Sequence, residues 1–200
     1  ADRLAAAGMM AGHPNETKPG GLRNIGFALH VGGDDVAYDR NKVGEQWKQQ
    51  LEELHRADPD GYLHQAVIHE GKGHWMDRQE TMAFPWMAKF TRNPYPKKIV
   101  WVQDDVVHDR FYWLGVDKPT PRTKIVASIV GQTVTIHEAD EVEEITVYLH
   151  DAMLDLDQPI TLVYGDRVFR SRVYRDTDVI KLTLRDPSDY FTASVIFQLR

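Results

Sequence analysis

The sequence IGFALHVGGDD occupies positions 25–35 and decides the fold of the N-terminal half of the chain. Its first seven residues form a nearly continuous apolar run, which is typical of a strand buried on both faces of a parallel sheet. Two glycines end this run, and apolar residues then recur over positions 43–54 with the spacing of one helix face. Residues 62–69 form a second apolar segment that is also followed by glycines. The order strand, helix, strand indicates a parallel α/β sheet.

The elements that follow extend this pattern. Residues 76–90 predict another helix, and residues 98–102 and 110–114 predict two short strands. The alanine-rich opening, residues 1–8, is predicted to be helical. We therefore expect an α/β domain over residues 1–118.

The C-terminal region has a different pattern of apolar and polar residues. Two prolines mark residues 116–122 as a linker, and apolar residues alternate with polar ones beyond it. The predicted strands centre on residues 134–136, 145–149, 160–164, 180–184 and 193–199. Short strands at this spacing predict a small antiparallel β-sandwich domain over residues 122–200.

Composition excludes several classes of function. The net charge of -6 and the scattered basic residues argue against a nucleic-acid partner, because phosphate binding needs a basic surface. No apolar run has the length that a membrane span requires. The absence of cysteine excludes disulfides, a thiol nucleophile and thiolate metal ligands. The compartment stays open, since a signal for the periplasm or for secretion would lie upstream of residue 1.

Two polar loops follow the two predicted parallel strands. Asp34 and Asp35 come directly after the first strand, and the second is followed by HEGKGHW, residues 69–75. Because the carboxyl ends of parallel strands lie at one edge of a sheet, an acid from the first loop and His74 from the second can meet there. Such a pair can serve a nucleophile, with the imidazole taking its proton and the acid orienting the imidazole. Taken singly, each loop is more often an ordinary turn with a surface side chain than a functional site.

The spacing Gly32-x-x-Asp35 followed by Gly71-x-Gly73-His74 resembles the acid and histidine motifs of α/β-hydrolase esterases and peptidases. The segments 10–15, 37–41 and 73–77 also resemble a group of bacterial α/β-hydrolases with an appended C-terminal β-domain. The resemblance covers about residues 1–115 well and the remainder loosely. It implies the C-terminal portion of an α/β-hydrolase parallel sheet, with Asp35 as the triad acid and His74 as the general base. Asp34 is the alternative acid and His69 a second candidate base.

The nucleophile of such a triad is missing from this part of the sequence. Residues 1–121 contain no serine, and none of the four serines farther along lies in a Gly-x-Ser-x-Gly elbow. We therefore expect a serine hydrolase of ester or amide bonds whose nucleophile lies in an upstream part of the same protein, with no cofactor. By itself this chain would be incomplete and inactive. The alternative is a non-catalytic binding or structural protein that uses the β-sandwich for carbohydrate or protein partners.

Two further sets of residues invite a functional interpretation. Trp75 and Tyr38 adjoin the predicted base and acid, and we expect them to contact substrate. The histidines at 64, 69 and 74 recur every five residues, whereas a zinc-protease helix needs a spacing of four. We therefore predict no metal site there. The acidic run 138–144 is predicted to be a solvated turn, because it lacks the ligand spacing of a calcium loop.

Overall fold

The computed structural model describes residues 1–140, 142, 144–184 and 191–199. The chain forms two compact units, Ala1–Asn93 and Pro94–Arg200. The linker predicted at residues 116–122 lies inside the second unit rather than between the two. None of the helices in the described residues has the length and apolar character needed to cross a membrane.

The first unit contains a three-stranded parallel sheet. Its strands are β1 (Ala6–Met10), β2 (Gly26–Gly32) and β3 (His64–His69), in that order across the sheet. Helix α1 (Arg40–Ala57) connects β2 to β3, and a 3-10 segment (Met76–Met82) leads into the short helix α2 (Ala83–Met87). Strand β2 is therefore central, with β1 on one side and β3 on the other.

Every residue of β2 is buried because helical segments cover both faces of the sheet. On one face, Phe27, Leu29 and Val31 pack with Trp47 and Leu51 of α1. On the other face, the residues of opposite parity face the segment that contains α2. A side chain at Gly26, for example, would collide with the ring of Phe90. This two-sided burial explains why β2 has no alternation of apolar and polar residues.

The second unit contains two sheets. Their elements are β4 (Lys98–Val102), β5 (Arg110–Phe111), β6 (Leu114–Gly115), β7 (Lys124–Val130), β8 (Thr133–Ala139), β9 (Ile145–Leu149), β10 (Ile160–Tyr164), β11 (Arg167–Ser171), α3 (Thr177–Thr183) and β12 (Val195–Leu199). One sheet has the order β11-β10-β8-β7-β4 and the other β12-β9-β6-β5. Side chains from both sheets share one apolar core, around Trp113, Ile145 and Leu149.

The predicted fold class is wrong. The molecule is mostly β, with 32% strand against 23% helix, and its described residues form no large parallel sheet like that of an α/β-hydrolase. In this part of the chain only β1, β2 and β3 form a purely parallel sheet, whereas β4, β5 and β6 belong to the sheets of the second unit. The five-stranded sheet is mixed, because β8 and β10 run parallel. Alternation of apolar residues reports one buried face and carries no information on strand direction, which is why it did not reveal this pairing.

Two local predictions are also wrong. The N-terminal residues predicted as helix overlap strand β1, because pairing with β2 outweighs the helix preference of a few alanines, which is too little to stabilise so short a helix. The predicted strand at residues 180–184 overlaps helix α3, which Asp176 caps by accepting a hydrogen bond from the Asp178 N–H. The predicted turn at residues 186–188 lies outside the described residues.

Candidate functional site

The loops that follow β2 and β3 are joined by main-chain hydrogen bonds. The Gly33 N–H donates to the carbonyl oxygen of His69 at 2.8 Å, and the Asp34 N–H donates to that of Lys72 at 2.9 Å. Gly32 lies so close to the second loop that a Cβ there would be 2.2 Å from the Gly73 carbonyl oxygen. The pairing of the two strands thus continues beyond their ends and holds the two loops in register.

Asp35 and His74 are brought together at this edge of the sheet. The Asp35 Oδ2 lies 2.8 Å from His74 Nδ1, across 39 residues of sequence. The carboxylate is buried at 4% exposure, whereas the His74 side chain is 39% exposed. With Nδ1 donating to the carboxylate, Nε2 is the ring nitrogen left for an external partner, and no described residue bonds to it. This is the arrangement that an acid and a general base require.

Arg40 is the second partner of Asp35, and it was not among the predicted site residues. Its Nε donates to Oδ2 at 2.7 Å and its Nη2 donates to Oδ1 at 2.8 Å. The hydrogen bonds from Arg40 hold the pKa of Asp35 below its usual value, against an opposing effect of burial, and the hydrogen bond from His74 adds to the lowering. Asp35 is therefore an anion at neutral pH.

The backbone around the two loops is strained. Of the ten non-glycine residues with positive φ in the described ranges, five lie two to four residues after Asp35 or His74. They are Tyr38, Asp39, Met76, Asp77 and Arg78. A non-glycine residue in this region costs on the order of 1 kcal/mol or more, and such residues are concentrated at functional sites. The strain marks this edge of the sheet independently of the side-chain chemistry.

Two large aromatic side chains border the pair. Trp75 is 81% exposed and Tyr38 is 83% exposed. The Trp75 ring makes an edge-to-face contact with the His74 ring, with the centroids 5.0 Å apart, and the Tyr38 ring lies 5.4 Å from the guanidinium carbon of Arg40. Both residues predicted to contact substrate therefore lie beside the acid–base pair, with their rings facing solvent.

The alternative acid and base do not join the pair. The Asp34 side chain is exposed, and no described residue bonds to it. His69 is buried, and its Nε2 lies 3.0 Å from His30 Nδ1 while its Nδ1 lies 3.1 Å from Gln79 Oε1. This buried histidine pair was not predicted. The signal that could have found it is His30 itself, a titratable side chain in the middle of an otherwise apolar strand.

No metal site is formed by the histidines. Among residues 1–140, 142, 144–184 and 191–199, no group of three His, Asp or Glu side chains could hold a metal ion. The Nδ1 of His64 lies 2.8 Å from the Tyr62 carbonyl oxygen instead. The acidic run 138–144 lies partly outside the described residues.

A serine and a histidine are in contact in the described part of the second unit. Ser128 Oγ lies 2.7 Å from His137 Nε2, across the exposed face of β7 and β8. In the described part of the chain no carboxylate contacts His137, so this pair lacks the acid of a triad. Ser188 lies outside the described residues.

Comparison with known proteins gives no relative from which a function could be transferred. No family model, no curated protein and no solved structure matches this chain. The chemistry of the site therefore has to be argued from its own geometry.

Proposed function

We propose that Asp35 and His74 are the acid and the general base of a catalytic triad that hydrolyses ester or amide bonds by acyl transfer. The observation that carries this proposal is the 2.8 Å contact between the buried Asp35 carboxylate and His74 Nδ1. A carboxylate bound at Nδ1 selects the tautomer whose Nε2 can accept a proton. The surrounding backbone strain and the exposed aromatic rings support a functional role for the same edge of the sheet.

The reaction follows from these roles. The nucleophilic serine gives its proton to His74 Nε2 as its oxygen bonds to the carbonyl carbon of the substrate. His74 then returns the proton to the leaving alcohol or amine as the old bond breaks, and an acyl-enzyme remains. Water attacks this ester in the second half and loses its proton to His74, which gives the proton to the serine oxygen as the acyl–serine bond breaks and the carboxylic acid is released. Asp35 stays ionised throughout and stabilises the imidazolium. Asp35 and His74 need no cofactor for these steps.

The proposal requires a serine from outside the first unit, because residues 1–93 contain none. We propose an upstream part of the same protein as its source. Trp75 and Tyr38 would then contact a small-molecule or peptide substrate at the rim of the site, where apolar rings can cover the acyl or leaving group. Their burial by a bound substrate would exclude water from His74 and strengthen its hydrogen bond to Asp35.

The test is reaction of the full-length gene product with a fluorophosphonate probe, followed by mass spectrometry of the labelled peptide. We expect labelling of a serine upstream of residue 1, and we expect the His74→Ala variant to lose labelling and about a thousandfold or more of its turnover of an activated ester. The matched control is His64→Ala, which removes a histidine of β3 whose described contacts are the Tyr62 carbonyl oxygen and the ring of His55, neither of which belongs to the Asp35–His74 pair. Equal labelling of the His74→Ala and wild-type proteins would refute the assignment.

A second candidate function, non-catalytic binding through the second unit, is favoured by one observation. All five residues of β11 are exposed, including Val168 at 65% and Phe169 at 47%. This strand forms the end of its sheet, and exposed edge strands are where extended partners add by strand pairing. A folded full-length protein that no fluorophosphonate labels would favour this function over hydrolysis.

A further inference from the structure

Arg40 occupies the side of Asp35 that His74 leaves free. It binds both carboxylate oxygens, and it shares Oδ2 with His74. The side chain of Arg40 is 15% exposed and that of Asp35 is 3% exposed, so water screens this contact weakly. A bidentate guanidinium–carboxylate contact is among the strongest hydrogen-bonded pairs in proteins.

The turn between β2 and α1 determines where Arg40 lies. The Asn41 N–H donates to the Asp35 carbonyl oxygen at 3.0 Å, and the Asn41 side-chain amide donates to the Gly33 carbonyl oxygen at 2.9 Å. Tyr38 and Asp39 adopt left-handed backbone angles immediately before Arg40, the first residue of α1. The sharp turn at the start of the helix therefore returns the guanidinium to the carboxylate, which lies five residues earlier.

We propose that Arg40 is a positioning residue that acts on His74 through Asp35. By binding the Asp35 carboxylate, it weakens the stabilisation that this carboxylate gives to protonated His74. Arg40 thereby sets the pH range in which His74 can accept a proton. The carboxylate has one negative charge to share between two cationic partners. A guanidinium that is always charged takes part of it at all pH values, whereas the imidazole gains its charge only on protonation. Without Arg40, the whole carboxylate charge would stabilise the imidazolium, and His74 would stay protonated to higher pH.

The other charged groups near His74 have partners elsewhere or face solvent, so Arg40 has the largest effect on the charge of Asp35. Among described residues, the charged or titratable side chains that contact the Asp35 carboxylate are Arg40 and His74. Lys72, in the same loop as His74, is paired with Asp77 at 2.7 Å, and the side chain of Asp34 is exposed. His69, at the start of that loop, is turned to His30 and Gln79.

The test is a pH titration of the histidine ring signals of the 200-residue chain by NMR, with His74 assigned from a His74→Asn variant. In Arg40→Gln we expect the midpoint of the His74 titration to lie at higher pH than in the wild-type chain, because the Asp35 carboxylate is then no longer shared with a guanidinium. Arg40→Lys keeps the charge and should stay close to wild type. Lys42→Gln is the matched control, because it removes an equal charge two residues later from an exposed pair with Asp39.

An unchanged His74 midpoint in a folded Arg40→Gln variant would overturn the proposal. If the Arg40→Gln variant does not fold, an NMR titration of the wild-type chain still tests the proposal. The Arg40 Nε–H signal should move as His74 titrates, and a signal that is indifferent to His74 would also overturn it. The statement about the pH range of activity rests on the proposed hydrolase function. The titration of His74 does not depend on that function, because it needs neither the nucleophile nor a substrate. Failed fluorophosphonate labelling would therefore leave the Arg40 result intact, and an unchanged midpoint would leave the labelling result intact.

Discussion

Gly32→Ala would test whether the close approach of the two loops positions Asp35 and His74. A Cβ at Gly32 would lie 2.2 Å from the carbonyl oxygen of Gly73 and 2.5 Å from that of Lys72. Both contacts are with backbone, which cannot rotate away as the end of a side chain can. The loop that contains His74 would have to move away from β2, and the main-chain bonds from Gly33 and Asp34 would lengthen or break.

The cost can be estimated from these contacts. Inserting a methyl group into a packed interior costs about 1–3 kcal/mol. The two main-chain hydrogen bonds at risk contribute about 1 kcal/mol each. We therefore expect the free energy of unfolding of the first unit to fall by about 3 kcal/mol. With a urea dependence of about 1–3 kcal/mol per molar, the unfolding midpoint would drop by about 1.5 M.

Hydrogen exchange of the β2 and β3 amides as a function of urea measures this loss in the first unit alone. The matched control is Gly73→Ala, because a Cβ at Gly73 meets nothing within 4 Å and its backbone is not left-handed. That variant should lose no stability and gain about 0.5 kcal/mol from reduced freedom of the unfolded chain. If the two variants were equally stable, the argument that backbone contact holds the loops together would be wrong.

Two further predictions concern the interior of the first unit. Leu51→Ala should lower its free energy of unfolding by about 2–5 kcal/mol, because Leu51 is fully buried between α1 and the sheet, while the exposed neighbour Glu52→Ala should change it by less than about 0.5 kcal/mol in the same urea experiment. Burial holds the pKa of His30 below its usual value, so the unfolded chain binds this proton more readily and stability should fall as the pH drops below about 6.5. His30→Gln should reduce the loss of stability between pH 7 and pH 5, whereas the exposed His13→Gln should not, and equal losses in all three proteins would contradict this explanation.

The sequence predicted the local features that depend on neighbouring residues. The buried strand β2, helix α1 and the loops that follow β2 and β3 are all observed, because a continuous apolar run, a helical repeat and paired glycines act over short distances. The contact between Asp35 and His74 followed from two adjacent parallel strands. Strand pairing over long distances was not predictable in the same way. Whether β4 joins β3 or β7 depends on contacts far apart in sequence, which no local pattern encodes.

Arg40 shows the same limit within the site. Its position at the start of α1 suggests an exposed helix residue, and only the left-handed turn at Tyr38 and Asp39 directs it to Asp35. Positive φ values at non-glycine residues are rare and cannot be predicted from residue type. The contact of Asp35 with His74 was therefore predictable from the sequence, but the second contact of Asp35, with Arg40, was not.

The joining of the two loops through main-chain atoms has a consequence for how this site can diverge. Every amino acid except proline supplies the same backbone N–H and carbonyl groups, so mutation of most side chains leaves the bonds from Gly33 and Asp34 in place. The exposed rings of Trp75 and Tyr38 can be exchanged by drift or by directed evolution without disturbing the framework beneath them. A mutant library for altered specificity would accordingly randomise these two positions and keep Gly32 constant. In the proposed hydrolase, backbone atoms would therefore keep the Asp35–His74 pair in place, while the side chains of Trp75 and Tyr38 could change and alter the substrate.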